Sequence, residues 1–343
     1  MPDSLLIRAE ASPRIGTGHV MRCLALAQRW RRHGGRVIFA QRETVPALAT
    51  RLRDEEMATD VLAGAAGSAD EARETITLAG KSAATWIVAD GYVFGAAWQK
   101  QIKAAGFRLL VIDDYGHAER YYADLVLNQN AAADEARYAR REPTTRLLLG
   151  TRYTLLRTEF LRHRPASREV SAAAKKILVT LGGADADNVT GAVIEALLPL
   201  AGVEAVVVIG ASNPHLDAVK KKLTAHPAIR LVVNAANMPE LMAWADVAIS
   251  AAGSTAWELA YMGLPSVLIV TADNQLGIAE ALGREGISVN LGSHRGLAAS
   301  SVTDAIGGLL TDGSRRQEMS RKGSRLIDGQ GADRVLSFLG GAQ

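Results

Sequence analysis

The sequence predicts two α/β domains, each a Rossmann-like parallel sheet flanked by helices, that face each other across a cleft. Three observations lead to this prediction. The chain has 343 residues, and that length is typical of about two domains. Both halves alternate short apolar runs with longer amphipathic stretches, which is the pattern of βαβ units. A polar, charged stretch with little strand character, residues 160–176, separates the two halves.

We therefore predict a first domain over residues 1–162, a linker over 163–174 and a second domain over 175–343 that includes the C-terminal helices. The candidate strands of the first half are LLIRAEA, RVIFAQ, TWIVADG, LLVIDD, DLVLNQN and RLLLG. Those of the second half are KKILVTLGG, EAVVVIG, IRLVVNA, DVAISAA, PSVLIVT and ISVNLG. In sheets of this kind ligands bind at the carboxyl ends of the strands.

Composition and charge limit the functional classes. The chain is 48% hydrophobic and 22% charged, which is typical of a globular protein and excludes a disordered or fibrous one. A net charge of +3 favours an anionic small molecule over nucleic acid as the partner. The single cysteine, Cys23, excludes an intramolecular disulfide and favours the cytoplasm. The sequence contains no stretch apolar enough for a membrane span or a signal peptide.

A glycine-rich turn, IGTGHVMRCLALA, follows the first strand and begins a helix that we expect to end at Gly34 and Gly35. Gly16 and Gly18 permit close approach of the backbone, and the helix N-terminus offers N–H groups to an anion. A dinucleotide fingerprint would need a third glycine where Met21 stands, and the P-loop pattern is absent. The turn is therefore predicted to face an anion without being a dinucleotide site.

His19 lies in the first turn of this helix. The helix dipole disfavours an imidazolium there, so the prediction is a neutral ring near pH 7. A neutral imidazole that points into a cleft is what a general base requires. A capping or core histidine explains the position equally well, and position alone does not decide between them.

Polar residues also follow other strands of the first domain. ADGY places Asp90 and Tyr92 at a strand end, and VIDDYG does the same for Asp113 and Asp114. Such groups act as acid, base or sugar ligand, although pairing with an arginine is an equally common role. Tyr92 and Asp114 join the histidine as candidate catalytic residues. RYTLLRTEF supplies Arg157, which is a candidate ligand contact or a partner in a structural ion pair.

Three polar turns follow strands of the second domain: LGGADADN, SAAGSTAWELAYMG and VTADNQ. Asn188 is available as a helix cap, and Ser254 and Thr255 are expected to be cap hydroxyls. Backbone amides and hydroxyls suit a phosphate, a carboxylate suits a ribose diol, and side-chain amides suit sugar hydroxyls and acetamido groups. The candidate binding residues are Gly183, Asp185, Asn188, Gly253, Ser254, Thr255, Glu258, Asn274 and Gln275. No metal is predicted, because no further ligands cluster with Asp185.

The chain resembles the UDP-2,4-diacetamido-2,4,6-trideoxy-β-L-altropyranose hydrolases of the pseudaminic acid pathway. These enzymes are related to spore-coat polysaccharide proteins and, more remotely, to MurG-type glycosyltransferases. The resemblance covers nearly the whole chain. It lies in the blocks IRAEASPRIGTGHVMRCLALA, VADGY, VIDDYGHAERYYADLVLNQN, LLGTRYTLLRTEF, ILVTLGGADADNVT and MAWADVAISAAGSTAWELAYMGLPSVLIVTADNQ, taken in this order.

This resemblance implies the two-domain GT-B architecture. It also implies removal of UDP from an amino sugar with inversion at C1, without metal or cofactor, to supply pseudaminic-type acids for surface glycans. It puts the catalytic base at His19, a ribose contact at Glu258 and a sugar contact at Tyr92. Pathway enzymes are implied as possible partners. The alternatives are a GT-B glycosyltransferase that uses a UDP-amino sugar, a hydrolysing UDP-amino-sugar 2-epimerase and a nucleotide-sugar sensor without activity.

Overall fold

The computed structural model describes residues 3–12, 15–164, 168–210 and 213–340. The chain divides into two compact units. The first comprises residues Met1–Thr158 together with Gly329–Gln343, and the second comprises Glu159–Asp328. Each unit contains a parallel sheet with helices between its strands, as the alternation of apolar and amphipathic stretches predicts.

The first unit is built on a parallel sheet of seven described strands. The strands are β1 (Ser4–Ala9), β2 (Arg36–Gln41), β3 (Ala58–Val61), β4 (Ala84–Asp90), β5 (Arg108–Ile112), β6 (Leu125–Asn128) and β7 (Arg146–Leu149). Their order in the sheet is β3-β2-β1-β4-β5-β6-β7. The helices are α1 (Gly18–Arg32), α2 (Pro46–Asp54), α3 (Ala69–Lys81) and α4 (Ala96–Ala104). Short 3-10 helices lie at Glu135–Tyr138 and Thr151–Tyr153.

Helix α1 agrees with the sequence prediction at both ends. It begins at Gly18, so His19 lies in its first turn. It ends at Arg32, and Gly34 follows with a φ of 83°, a left-handed conformation that favours glycine. Cys23 is fully buried in this helix. The buried face of α1 packs against the strands of the sheet and carries Val20, Leu24 and Ala27.

Strand β3 was not predicted from the sequence. Its four residues, Ala58–Val61, are all exposed, and it lies at the edge of the sheet beside β2. The prediction relied on apolar runs, which mark strands that are covered on both faces. An exposed edge strand reading ATDV carries no such run.

The second unit is built on a parallel sheet of six described strands, and all six correspond to predicted strands. They are β8 (Lys176–Thr180), β9 (Glu204–Ile209), β10 (Ile229–Val233), β11 (Val247–Ala251), β12 (Ser266–Val270) and β13 (Ser288–Ser293), in the order β10-β9-β8-β11-β12-β13. The helices are α5 (Thr158–His163), α6 (Val189–Leu197), α7 (Leu216–Leu223), α8 (Met238–Trp244), α9 (Thr255–Tyr261), α10 (Leu276–Arg284), α11 (Ala299–Thr311) and α12 (Gly313–Leu326). A 3-10 turn lies at Asp273–Gln275.

Both sheets reverse their strand order at one point. In the first unit the reversal lies between β1 and β4, and in the second it lies between β8 and β11. The loops on either side of such a reversal diverge and leave a crevice at the carboxyl ends of the strands. In the first unit His19 follows β1 and Tyr92 follows β4, and in the second unit Gly183 follows β8 and Gly253 follows β11.

The end of the chain departs from the predicted domain boundaries. The last helix, α13 (Gly331–Leu339), belongs to the first unit and packs against α1. Its buried side chains Val335, Leu336 and Leu339 join the core of that unit. The Trp86 indole N–H of β4 donates to the Leu339 carbonyl oxygen at 2.7 Å. The sequence shows the apolar face of this helix but not which sheet the face covers.

The predicted linker, residues 163–174, also differs from the expectation of a separate connection. Pro165, Ala166 and Ser167 lie outside the described residues. The described part of the segment belongs to the second unit, where the Arg168 guanidinium donates to the carbonyl oxygens of Ala245 and Met262. In the described part of the chain, no helix combines the length and apolarity that crossing a membrane requires.

Candidate functional site

In the first unit, the loops after three adjacent strands bring together one polar cluster. His19 follows β1, Asp90 and Tyr92 follow or end β4, and Asp114 follows β5. The Nδ1 atom of the His19 ring lies 2.7 Å from Oδ1 of Asp90. The Asp90 side chain is fully buried, whereas 15% of the His19 side chain is exposed. The catalytic candidates of the first domain are therefore neighbours in space.

The charge of Asp90 determines how the histidine is hydrogen-bonded. Burial alone would raise the pKa of the Asp90 carboxyl, but the Arg22 guanidinium and His19 beside it hold that pKa well below its usual range. An ionised carboxylate only accepts hydrogen bonds, so Nδ1 of His19 carries the hydrogen and donates it. In the neutral ring this leaves Nε2 as the nitrogen with a lone pair.

Arg22 connects the two carboxylates of this cluster. Its Nε and one terminal nitrogen donate to both oxygens of Asp90 at 2.9 and 2.7 Å, and its other terminal nitrogen donates to Asp114 at 2.8 Å. Burial lowers the pKa of the Arg22 guanidinium, but the charges of Asp114 and Asp90 outweigh this effect and raise it. Arg22 therefore holds both carboxylates in fixed positions.

Tyr92 extends the cluster. Its hydroxyl donates to Oδ2 of Asp114 at 2.6 Å. The ring of Tyr92 meets the ring of His19 edge-on, with 5.2 Å between the centroids. We call His19, Arg22, Asp90, Tyr92 and Asp114 the His19 cluster.

Neither Arg22 nor the pairing of Asp90 with the histidine was predicted from the sequence. Arg22 stands three residues after His19 on α1, and residues at that spacing share one face of a helix. The spacing was therefore a local signal that Arg22 lies on the same helix face as His19. Asp90 is separated from His19 by 71 positions, so no local pattern indicates that their side chains meet.

Two further candidates of the first unit, Gly16 and Gly18, precede His19 in the glycine-rich turn. Gly16 has a φ of 79° and exchanges backbone hydrogen bonds with Ser12. A Cβ atom at Gly18 would meet open space, and the close approach of a ligand to this glycine stays a prediction. Arg157 follows the 3-10 turn Thr151–Tyr153 and precedes α5.

In the second unit, the three predicted polar turns follow strands β8, β11 and β12. These strands are direct neighbours in the sheet, so the turns lie side by side at its carboxyl edge. Gly183 follows β8, Gly253 follows β11, and Asn274 and Gln275 follow β12. The second sheet thus brings its predicted binding residues to one edge.

Two of these residues are occupied in capping helix α6. The carboxylate of Asp185 is 9% exposed and accepts hydrogen bonds from the Val189 and Thr190 backbone N–H groups at 2.8 and 3.0 Å. The Asn188 side chain accepts from the Gly191 N–H, which confirms its predicted capping role. Both carboxylate oxygens of Asp185 thus stabilise the start of α6, and a contact of Asp185 with a ligand stays a prediction.

The second turn differs from the prediction in one respect. Ser254 occupies the N-cap position of α9, but its side chain makes no capping hydrogen bond, contrary to its expected role as a cap hydroxyl. Thr255 is the first residue of α9, and Glu258 is half-buried in the same helix. A Cβ atom on Gly253 would lie 3.8 Å from Nε2 of Gln275, so the second and third turns are in contact.

Gln275 is itself fixed by the backbone of its own turn. Its Oε1 accepts hydrogen bonds from the Thr271 N–H at 2.9 Å and the Thr271 hydroxyl at 3.2 Å. This leaves the amide nitrogen as the donor that faces the Gly253 turn. Within the ranges that the structure describes, no group of three or more His, Cys, Asp and Glu side chains is arranged to hold a metal ion.

Comparison with known proteins agrees with this architecture. Residues 176–334 match the model of the glycosyltransferase family 28 C-terminal domain. The crystal structure of MurG from Acinetobacter baumannii superposes with a TM-score of 0.66 at 15% identity and covers 99% of each chain. The chain therefore has the GT-B fold, and its second unit is similar to a glycosyltransferase family 28 C-terminal domain. This confirms the predicted fold of two Rossmann-like domains.

Two relatives are similar in sequence. The spore coat polysaccharide biosynthesis protein SpsG of Bacillus subtilis is 24% identical over 238 residues, 68% of this chain and 69% of that protein. The UDP-2,4-diacetamido-2,4,6-trideoxy-β-L-altropyranose hydrolase of Campylobacter jejuni is 27% identical over 289 residues, 83% of this chain and 98% of that protein. The resemblance identified from the sequence blocks is thereby confirmed.

Proposed function

We propose that this chain hydrolyses a UDP-linked diacetamido-trideoxy hexose at C1 and releases UDP and the free amino sugar for synthesis of pseudaminic-type acids. Three features support the proposal. A relative that matches over nearly its whole length carries this activity in its name, and the second unit matches a glycosyltransferase family domain. The observation that carries the proposal is the His19–Asp90 pair, with Nδ1 2.7 Å from the carboxylate.

In the proposed mechanism, Nε2 of His19 removes a proton from a water molecule that attacks C1 on the face opposite to UDP. The bond from water oxygen to C1 forms as the bond from C1 to the phosphate oxygen breaks, so the configuration inverts. Asp90 stabilises the imidazolium that results. No covalent intermediate is needed, because UDP is a good leaving group, and no metal or cofactor enters the scheme.

We assign the nucleotide to the turns of the second unit. The backbone N–H groups near Gly183 and Gly253 suit the diphosphate, and the Glu258 carboxylate suits the ribose hydroxyls. Asn274 and Gln275 supply side-chain amides at the same edge of the sheet. Asp185 supports this arrangement indirectly, because it fixes the start of α6 beside Gly183.

The first test is release of UDP by the purified protein. UDP-2,4-diacetamido-2,4,6-trideoxy-β-L-altropyranose is incubated with the protein in the absence of any acceptor, and the products are followed by ³¹P and ¹H NMR. We expect free UDP and a first-formed sugar anomer opposite in configuration to the substrate. A product epimerised at C2 would indicate an epimerase, and no release of UDP would contradict hydrolysis.

The second test replaces the proposed base. His19→Asn should lower kcat by about 10²–10⁴-fold, the usual contribution of a general base, while the affinity for UDP stays normal. His33→Asn is the matched control, because His33 is an exposed residue at the other end of the same helix. A His19 variant that turns over at the normal rate would exclude this residue as the base.

A glycosyltransferase is the second candidate, because the matching domain model and the MurG structure both come from glycosyltransferases. Such an enzyme would deliver the sugar to an acceptor hydroxyl instead of water. It would release UDP slowly alone and faster by orders of magnitude once an acceptor is added. The acceptor-free NMR assay therefore distinguishes the two reactions.

A further inference from the structure

The loop that follows β5 is fixed by one buried carboxylate. Oδ1 of Asp113 accepts hydrogen bonds from the backbone N–H groups of Tyr115 and Gly116 at 2.8 and 2.9 Å. Oδ2 accepts from Nδ1 of His117 at 2.9 Å and from the Tyr121 hydroxyl. Burial raises the pKa of Asp113, but these hydrogen bonds lower it to about 2. The ionised carboxylate therefore holds the whole loop in one conformation.

A second set of contacts holds the loop from the other side. The guanidinium of Arg137 donates to the Tyr115 carbonyl oxygen at 3.2 Å. Gly116 has a φ of 81°, and a Cβ atom there would lie 3.0 Å from the Arg137 carbonyl oxygen. Only glycine suits this position. The backbone on both sides of the Tyr115 side chain is thus fixed.

The Tyr115 side chain on this fixed loop lies beside the His19 cluster. Its ring centroid is 4.9 Å from that of Tyr92, and Tyr92 in turn contacts His19 at 5.2 Å. The His117 ring meets Tyr92 and Tyr115 edge-on, at 5.7 and 6.4 Å, and supports both. Tyr115 is nevertheless 41% exposed. The aromatic surface of the cluster therefore extends from His19 through Tyr92 to solvent.

An exposed aromatic ring on a fixed loop is suited to bind a ligand. The ring loses little conformational freedom on binding, since its backbone and its neighbours already restrict it. Its apolar face remains available to be covered, and aromatic faces pack favourably against the C–H and methyl groups of ligands. Diacetamido-trideoxy sugars carry three such methyl groups, two in the acetyl groups and one at C6.

We propose that Tyr115 and Tyr92 form an aromatic platform that binds the methyl groups of the sugar, and that Tyr115 selects diacetamido-trideoxy sugars over sugars with fewer methyl groups, such as N-acetylglucosamine. This inference rests on the proposed function. Tyr115 is assigned to substrate selection and the His19 cluster to the reaction. In this assignment the platform binds the sugar and does not bind the uridine diphosphate part of the substrate.

The test compares Tyr115→Ala and Tyr115→Phe with the wild-type protein and with Tyr122→Ala as the matched control. Tyr122 lies near the same loop, but its ring contacts Lys100 and Arg120 instead of the His19 cluster. Circular dichroism verifies that each variant folds. The first measurement is kcat/KM for the UDP-diacetamido-trideoxy sugar and for UDP-N-acetylglucosamine. The second is saturation-transfer NMR with free 2,4-diacetamido-2,4,6-trideoxyaltrose, which needs no turnover.

Tyr115→Ala is expected to lower kcat/KM for the trideoxy substrate by about tenfold or more, as loss of a methyl-sized contact does, and to lower it less for UDP-N-acetylglucosamine. Saturation of the sugar methyl signals should fall in this variant and persist in Tyr115→Phe and in Tyr122→Ala. Unchanged methyl saturation and unchanged substrate preference in Tyr115→Ala would overturn the inference. If the wild-type protein releases no UDP, the proposed function fails, and the methyl signals still decide whether the platform binds the sugar.

Discussion

Replacing Asp90 with asparagine removes one negative charge from the His19 cluster while keeping the shape of the side chain. Asp90 accepts hydrogen bonds from Nδ1 of His19 at 2.7 Å and from two nitrogens of Arg22 at 2.9 and 2.7 Å. An asparagine has one acceptor oxygen, and its NH₂ group must point at one of these donors. Whichever way the amide is turned, either His19 or Arg22 faces a donor in place of an acceptor.

The magnitude of the effect follows from these contacts. Losing the carboxylate removes both the orientation of the ring and the stabilisation of the imidazolium, and the same change in a serine-protease triad lowers kcat by about 10⁴-fold. We expect a loss of about 10³-fold, which corresponds to ~4 kcal/mol at the transition state. Removing one partner of a buried ion pair costs about 3–5 kcal/mol. Arg22 keeps Asp114 as a partner, so the loss in free energy of unfolding should be nearer ~2–3 kcal/mol.

The assay measures UDP release under initial-rate conditions, together with UDP affinity by calorimetry and unfolding in urea. Asp333→Asn is the control, because Asp333 also pairs with an arginine of α1, at 3.1 Å from Arg29, but is 43% exposed. This control should leave kcat unchanged and cost less than ~1 kcal/mol. An Asp90→Asn protein that is folded and has kcat within threefold of wild type would refute the assignment of His19 and Asp90 as a working pair.

Further outcomes follow from other contacts. Arg22→Lys should lower kcat by at least about tenfold with normal UDP affinity, because an ammonium cannot bridge both carboxylates as the guanidinium does. The measurement is kcat for UDP release, from initial rates. The folded pKa of Asp113 is about 2, against about 3.9 in an unfolded chain, so its stabilisation is complete above pH 4 and disappears as the pH falls toward 2. Asp113→Asn should therefore cost ~2 kcal/mol in urea unfolding at pH 7 and little at pH 2. A chain that ends at Asp328 should lose the thermal transition of the first unit and keep that of the second, since α13 packs on the first. Adding EDTA should leave UDP release unchanged, and a fall in rate would contradict metal independence.

Four strands of the second sheet, β8, β9, β11 and β12, could be predicted because each is a nearly continuous apolar run, as burial on both faces requires. The same reasoning failed at β3, whose four residues are exposed. The place of α13 could not be predicted either. Its apolar face is visible in the sequence, but the partner of that face lies in helix α1, roughly the whole chain length away. Local patterns predict elements and do not predict which distant elements meet.

The candidate site likewise has residues whose role could be predicted from the sequence and residues whose role could not. His19 could be found because a glycine turn, a helix start and a histidine are adjacent in the sequence. The interpretation of Asp185 as a ligand contact depended on its loop position, and the structure shows its carboxylate bonded to the Val189 and Thr190 N–H groups. Capping of a helix by the preceding loop is common wherever a parallel strand leads into a helix. A single polar residue at a strand end is therefore weaker evidence for a binding site than three polar turns that follow neighbouring strands.

Two histidines in the first unit are paired with aspartates, and the structure indicates which of them suits a base. His117 donates to Asp113 as His19 does to Asp90, but the His117 side chain is 4% exposed and its Nε2 atom is buried, with no partner among the described residues. A water molecule or a sugar cannot reach that nitrogen without moving the tyrosines around it. His19 is the more exposed of the two, and its ring bonds to Asp90 instead of capping α1. Because a general base needs both a fixed orientation and access to the reacting water, His19 meets both conditions, and His117 meets only the first.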